Sequence, residues 1–196
     1  MNTTQLEKLG TFAELNYDVC TQIYQRFTKG EVIPKLQFNK QSGVLFEDPH
    51  FTYLFRYIDE FSLLYQCIGK RLEQHVQGEF FYINNQFDGD ADEADEHALK
   101  VQTILLILAR HFEITGRNMA QLSEVSLGFN EKDLFEISQN EEYKAIAKAL
   151  RFDSWDKAVG FLVARGFVYA TSTNHYFLSS AGSAFCENVL CAYRNR

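Results

Sequence analysis

The chain has 196 residues, 46% of them hydrophobic with 18 Phe and 10 Tyr, only two Pro, and a formal net charge of −7. That length and apolar content suit one large or two small packed domains, exclude a disordered chain, and favour helices over a beta-sandwich. The longest apolar run, Ile104 to Ala109, is far below the ~20 residues of a membrane helix, and MNTTQLEKLGTF lacks a basic-then-apolar leader, so a cytoplasmic protein is expected.

Leu6 to Phe27 carries apolar residues at helical recurrence (Val19, Ile23, Phe27) and stops at Lys29-Gly30. GEVIPKLQFN should run extended around Pro34. From Phe51 through Leu54, Phe55, Ile58, Phe61, Leu64 and Tyr65 to Ile68 the i, i+3, i+4, i+7 rule holds over five turns. This predicts one long helix that starts near Asp48-Pro49, where Pro suits the first turn, and ends at Gly69. LEQHV and EFFYI then read as a hairpin around Gln77-Gly78.

DGDADEADE, Asp88 to Glu96, holds six carboxylates and no base, and without it the net charge of −7 falls to −1. The acidity is therefore local, and the block is the expected boundary between an N-terminal domain (1–87) and a C-terminal domain (97–196), with 88–96 as linker. Its D-x-D-x-D opening imitates a calcium loop, but Glu93 stands where Gly is required and Leu99 where Glu is required. Solvation of a linker, and stabilisation of the positive end of the next helix, fit the block better.

His97 to Phe112 is apolar almost all round and predicts a buried central helix. Asn118 to Leu127 reads as a short helix. Glu131 to Leu150 reads as helix with a break near Ser138 to Asn140. A helix capped by Asp153 or Ser154 follows, with Trp155, Val159 and Leu162 inward. GFVYA, TSTNH and YFL make a second hairpin, and a last helix spans Ala181 to about Tyr193. Helices followed by a ribbon thus occur twice, which is the plan of two tandem winged helices: mainly α with small β-hairpins, an α+β fold.

No P-loop, dinucleotide-binding glycine motif or nucleophile elbow is present. His50, His75, His97, His111 and His175 are scattered, and Cys20, Cys67, Cys186 and Cys191 form no C-x-x-C pair and sit in apolar helical patterns. No catalytic, cofactor or metal site is expected, and no enzyme. The would-be recognition helices, FTYLFRYIDEFSLLYQ and SWDKAVGFLVAR, mix Arg56, Lys157 and Arg165 with Asp59, Glu60, Asp153 and Asp156. They suit a stand-alone, sequence-reading regulator poorly, and protein binding better.

TKGEVI followed by PHFTYLFRYIDEFSLLYQCIGKRLEQHVQGEFFYI resembles the first winged helix of the MukE and MksE family, and DSWDKAVGFLVARGFVYATSTNHYFLSSAGSAF resembles the second. The resemblance covers Phe27 to Phe185 and lies in the order and spacing of these pieces, with MksE the better match. It implies a non-enzymatic subunit of a bacterial condensin-type SMC complex, nucleoid-associated, which dimerises, binds the kleisin, reaches the SMC ATPase through it, and helps to hold DNA. Where the family pattern has two adjacent bases this chain has Ala164-Arg165, so Arg165 alone carries over.

Three sets of contact residues follow as expectations. Phe51, Tyr53, Phe55 and Tyr57 place aromatics on more than one side of a helix and point to a homodimer through the first domain. Tyr82, Ile83, Tyr176 and Phe177 lie on wing strands whose edges suit an extended kleisin peptide. Lys144, Lys148 and Arg151 recur at i, i+4 and i+7 and, with Lys157 and Arg165, form a basic stripe for weak, sequence-independent DNA contact.

Overall fold

The structure, a computed structural model, describes residues 12–85, 92–171 and 173–194. The predicted helix residues 6–11 and the first half of the acidic block, residues 88–91, lie outside the described residues.

After a 3-10 turn at Phe12–Glu14, α1 (Tyr17–Thr28) starts at Asn16, whose side chain accepts the N–H groups of Asp18 and Val19. It buries Ile23 and Phe27. β1 (Ile33–Pro34) follows, and then a hairpin of β2 (Leu36–Asn39) and β3 (Val44–Glu47), registered Leu36 to Glu47 and Phe38 to Leu45. Asp48 caps α2 (Pro49–Arg56), accepting the His50 N–H at 2.8 Å. α3 (Ile58–Cys67) completes the helices, and β4 (Lys70–His75) and β5 (Phe80–Asn85) pair antiparallel around the turn at 76–79.

The single long helix expected over Phe51 to Ile68 is two helices. Tyr57 leaves helical geometry at φ −114°, ψ 36°. Its N–H still reaches the Tyr53 carbonyl, and its carbonyl still accepts from Phe61. The apolar spacing therefore continues unbroken through the bend. Phe51, Leu54, Phe61 and Tyr65 all reach one core with Ile23, Phe27, Ile33 and Phe81.

In the second half α4 (Asp92–Ile114) begins five residues earlier than the apolar pattern indicated, so Asp92 to Glu96 is helix. A 3-10 turn at Met119–Ser123, closed by a capping box between Asn118 and Gln121, leads to β6 (Phe129–Asn130). α5 (Glu131–Gln139) and α6 (Glu141–Ala149) are separated at Asn140, whose side chain accepts the Glu142 and Tyr143 N–H groups. α7 (Trp155–Ala164) is capped by Ser154. β7 (Val168–Ala170), β8 (His175–Leu178) and α8 (Ser180–Arg194) close the chain.

The two three-stranded sheets have the same plan, β1-β5-β4 and β6-β8-β7. In each, a two-residue strand that precedes the ribbon in the chain joins the ribbon's last strand. Among the described residues the fold is α+β, as expected, and consistent with two winged-helix-like domains.

The halves share packing. Val32 and Phe80 belong to the core built by α4, α7 and α8, where Phe80 meets Phe185 at 6.0 Å. The Val32 N–H donates to the Arg165 carbonyl at 3.0 Å. Next to it Gly166 sits at φ +79°, and a Cβ there would lie 2.9 Å from the Val32 oxygen. Glycine is required on both counts. The β2–β3 hairpin reaches across as well. Phe38 stands edge-on over Phe177 at 5.1 Å, and the Tyr169 hydroxyl, its ionisation suppressed by burial, donates to the Leu36 carbonyl.

Candidate interaction surface

The basic residues are arranged around an aromatic pair. Arg165, at the C-cap of α7, lays its guanidinium 3.7 Å over the Phe161 ring. Phe161 meets Phe152 edge-on at 5.3 Å, and Lys100 lies over Phe152 at 5.7 Å. Glu96 bonds Lys100 at 2.7 Å and lies 3.7 Å from Arg151. Arg151 and Arg165, separated by the whole of α7, therefore flank one ridge, with Lys100 between them. Lys100 on α4 escapes a sequence reading because its neighbours come from distant segments; its i, i+4 relation to Glu96 is the only local signal, and it suggests a solvated pair.

Arg165 differs from the other bases. Its Nε is buried without a hydrogen-bond partner and it has no carboxylate partner among the described residues. Burial pulls its ionisation below the usual guanidinium range, with nothing offsetting it. Lys144 is held 2.7 Å from Glu141, whereas Lys148 has no ion-pair partner among the described residues. Lys157 is exposed in the first turn of α7, with its N–H on the Ser154 hydroxyl. Of the expected stripe, Arg151 and Arg165 border the aromatic pair together with Lys100, and Lys144 and Lys148 line a groove that Phe152 also lines.

Tyr82 and Ile83 lie on β5 just past Phe80 and Phe81, the two residues that pair with β1, while Tyr176 and Phe177 lie on β8, where β6 pairs with His175 and Tyr176. Phe177 is only 2% exposed beneath Phe38, while Tyr176 stacks on Phe129 at 5.3 Å. Sequence could not show β1 and β6, because each is two residues long and carries no periodicity. The edge strands of the two sheets are β1 and β4 in the first and β6 and β7 in the second.

On the first half, Phe51 is core, against Phe81 at 5.0 Å. Tyr53 is held by Tyr57 at 4.8 Å, and its hydroxyl accepts the Asn16 N–H at 2.6 Å. Tyr57 is half-buried, so of the four aromatics Phe55 alone is widely exposed, at 59%. The hairpin adds Val44, Leu45 and Phe46, all exposed on β3. This apolar strand had no signature in sequence, since both of its faces are open.

His111, Asp133 and Glu136 bring their ligand atoms within 4.8 Å of one another. Asp133 is already satisfied: it accepts from Arg117, from His111 at 3.4 Å and from the Asn130 N–H at 2.9 Å. Burial would raise its carboxyl, but these donors outweigh it and hold the group below the usual carboxylate value. Arg117 thus already pairs the Asp133 carboxylate, and His111, facing both Asp133 and Glu136, ties α4 to α5. Cys186 is buried, which pushes its thiol up to about 11, and Cys67 is exposed instead of lying within an apolar pattern.

One family model matches the chain over residues 19–190, and its description is condensin complex protein MksE. The chain belongs to the MksE family. It is therefore a subunit of a condensin complex, and other components of that complex are its partners. MksE is an accessory protein family of that complex. No curated protein matches the chain. Among the described residues of this MksE family member, no helix is long and apolar enough to cross a membrane.

Proposed function

We infer that this subunit pairs with a second copy through its N-terminal half, carries a segment of the kleisin along its wings, and presents its basic ridge to DNA held by the SMC ATPase. The family match over residues 19–190 carries this reading. Three features support its parts. Exposed Phe55, Val44, Leu45 and Phe46 give the first half an apolar surface larger than a lone exposed side chain. The outer edges of β4 and β7, beside half-buried Tyr82, Ile83 and Tyr176, suit main-chain pairing by an extended peptide. Arg165, with no carboxylate partner among the described residues, is available to phosphate, with Arg151, Lys157, Lys144 and Lys148 as further contacts.

Three to five phosphate contacts give weak, salt-sensitive and sequence-independent binding, so DNA is held by the assembly and not by this subunit alone. The test is a complex reconstituted with its SMC ATPase and kleisin. Lys148→Glu with Arg165→Glu should leave folding and kleisin co-purification intact while lowering DNA retention across a salt titration. Unchanged retention removes the DNA role. Tight binding of the isolated chain to a palindromic operator replaces the reading with that of a transcription regulator.

A further inference from the structure

Between α5, α6 and the start of α7 lies a groove of about 980 Å³. Leu134, Ala147 and Trp155, all nearly inaccessible, form its floor, and Phe135 and Phe152 stand on its walls. Phe135 is 63% exposed, unusual for a Phe in the middle of a helix with an inward face of its own. The Trp155 indole nitrogen is buried without a hydrogen-bond partner.

The rims of the groove carry opposite charge. α6 contributes Lys144 and Lys148, while the approach to α7 contributes Asp153 and Asp156. Lys148, Asp153 and Asp156 have no ion-pair partner among the described residues. At the start of α5, Lys132 lies 3.9 Å from Glu136, and Glu131 accepts from the Asn174 amide at 2.6 Å. A polyphosphate would meet the carboxylates of Asp153 and Asp156, and a purely apolar ligand would leave all three charges without counterparts. A peptide can match both signs and fill the aromatic walls. The volume lies at the upper end of the ~300–1,000 Å³ found for ligand pockets, enough for several residues.

We propose that this groove is a peptide-docking site, separate from the wing strands, for a segment of another protein with one aromatic or large aliphatic side chain between an acidic and a basic residue. The apolar side chain lies between Phe135 and Phe152 over the floor. The acidic residue faces Lys148, and the basic one faces Asp153 and Asp156. The site is independent of the wing contact proposed above, because its walls are helices.

Trp155 is the single tryptophan of the chain, so its emission reports occupancy directly. The probe is a random linear peptide library displayed on phage and selected against the full chain, each selected peptide then being titrated by Trp155 fluorescence. The expected peptides share an aromatic or large aliphatic residue flanked by opposite charges, and they shift the emission. Phe135→Asp, at an exposed position, should weaken them about tenfold or more, as loss of an interface anchor does, whereas Phe135→Leu retains most of the affinity. The exchange Lys148→Asp with Asp156→Lys should select peptides of reversed charge order. Thermal unfolding confirms that these surface variants stay folded. Failure to select any peptide overturns the proposal, as does selection of peptides indifferent to Phe135→Asp and to the charge exchange. So does a shift of Trp155 emission by duplex DNA that the selected peptides cannot compete.

Discussion

Val32 and Arg165 are joined main chain to main chain: the N–H of one donates to the carbonyl of the other at 3.0 Å. The bond fastens the loop after the first helix to the end of α7, where the Arg165 side chain turns over Phe161. Gly166 permits it. Gly166→Ala should therefore destabilise the chain by about 1–3 kcal/mol, through a left-handed backbone and a Cβ pressed against the Val32 oxygen. Denaturant unfolding measures this, and a variant as stable as the parent would show that the two segments are not held together.

The hairpin makes a second, separable contact between the halves. Phe38→Ala removes the ring over Phe177 and Tyr169 and should cost about 2–3 kcal/mol. Tyr169→Phe removes only the hydroxyl bonded to the Leu36 carbonyl and should cost about 1 kcal/mol. Because the two residues touch, the double variant should lose less than the sum of the single losses.

Asp133 gives a pH dependence with a definite sign. Its folded carboxyl titrates below the ordinary value of 3.8, so unfolding takes up a proton in the interval between the folded value and 3.8. The stabilisation is complete above that interval and is lost as pH falls through the folded value. Asp133→Asn should be less stable than the parent by about 2 kcal/mol at neutral pH, having lost charged partners for Arg117. The gap should close in strong acid. A gap that stays constant from pH 7 to pH 2 would show that charge plays no part.

Self-association should depend on the exposed first-half residues and not on the buried ones. Phe46→Ser with Phe55→Ser should change monomer stability by no more than about 0.5 kcal/mol, as surface substitutions do. In light scattering at roughly 50 μM, well above the Kd of a moderate interface, the parent should run as a dimer and the variant as a monomer. A dimer that survives the substitutions would move the interface elsewhere.

The helices were legible wherever a cap and an apolar period agreed. Asn140, accepting from Glu142 and Tyr143, is a break readable from its residue type alone, and so is Ser154 at the head of α7. The bend at Tyr57 was illegible because the hydrogen bonds on either side of it persist and the spacing of Leu54, Ile58 and Phe61 does not change. The β2–β3 hairpin was illegible for a different reason: alternation marks a strand only when one face is buried, and Val44 to Glu47 are exposed throughout. The contact surface was the least readable part. Arg151 and Arg165 were visible as bases, but Lys100 between them, and Trp155 in a groove walled by Phe135 and Phe152, depend on helices that meet only in the folded chain.

The sharing of Val32 and Phe80 with the second core has a consequence for synthesis on the ribosome. When the first wing emerges, Phe80 has no Phe185 to meet and Val32 has no Arg165 carbonyl to bond, because α7 and α8 are not yet made. The nascent first half must therefore wait with apolar surface uncovered, the state in which chains aggregate or recruit chaperones. Messages truncated before α8 should yield insoluble product even though they encode every element of the first half, and slowing translation between β5 and α7 should lengthen that exposed interval.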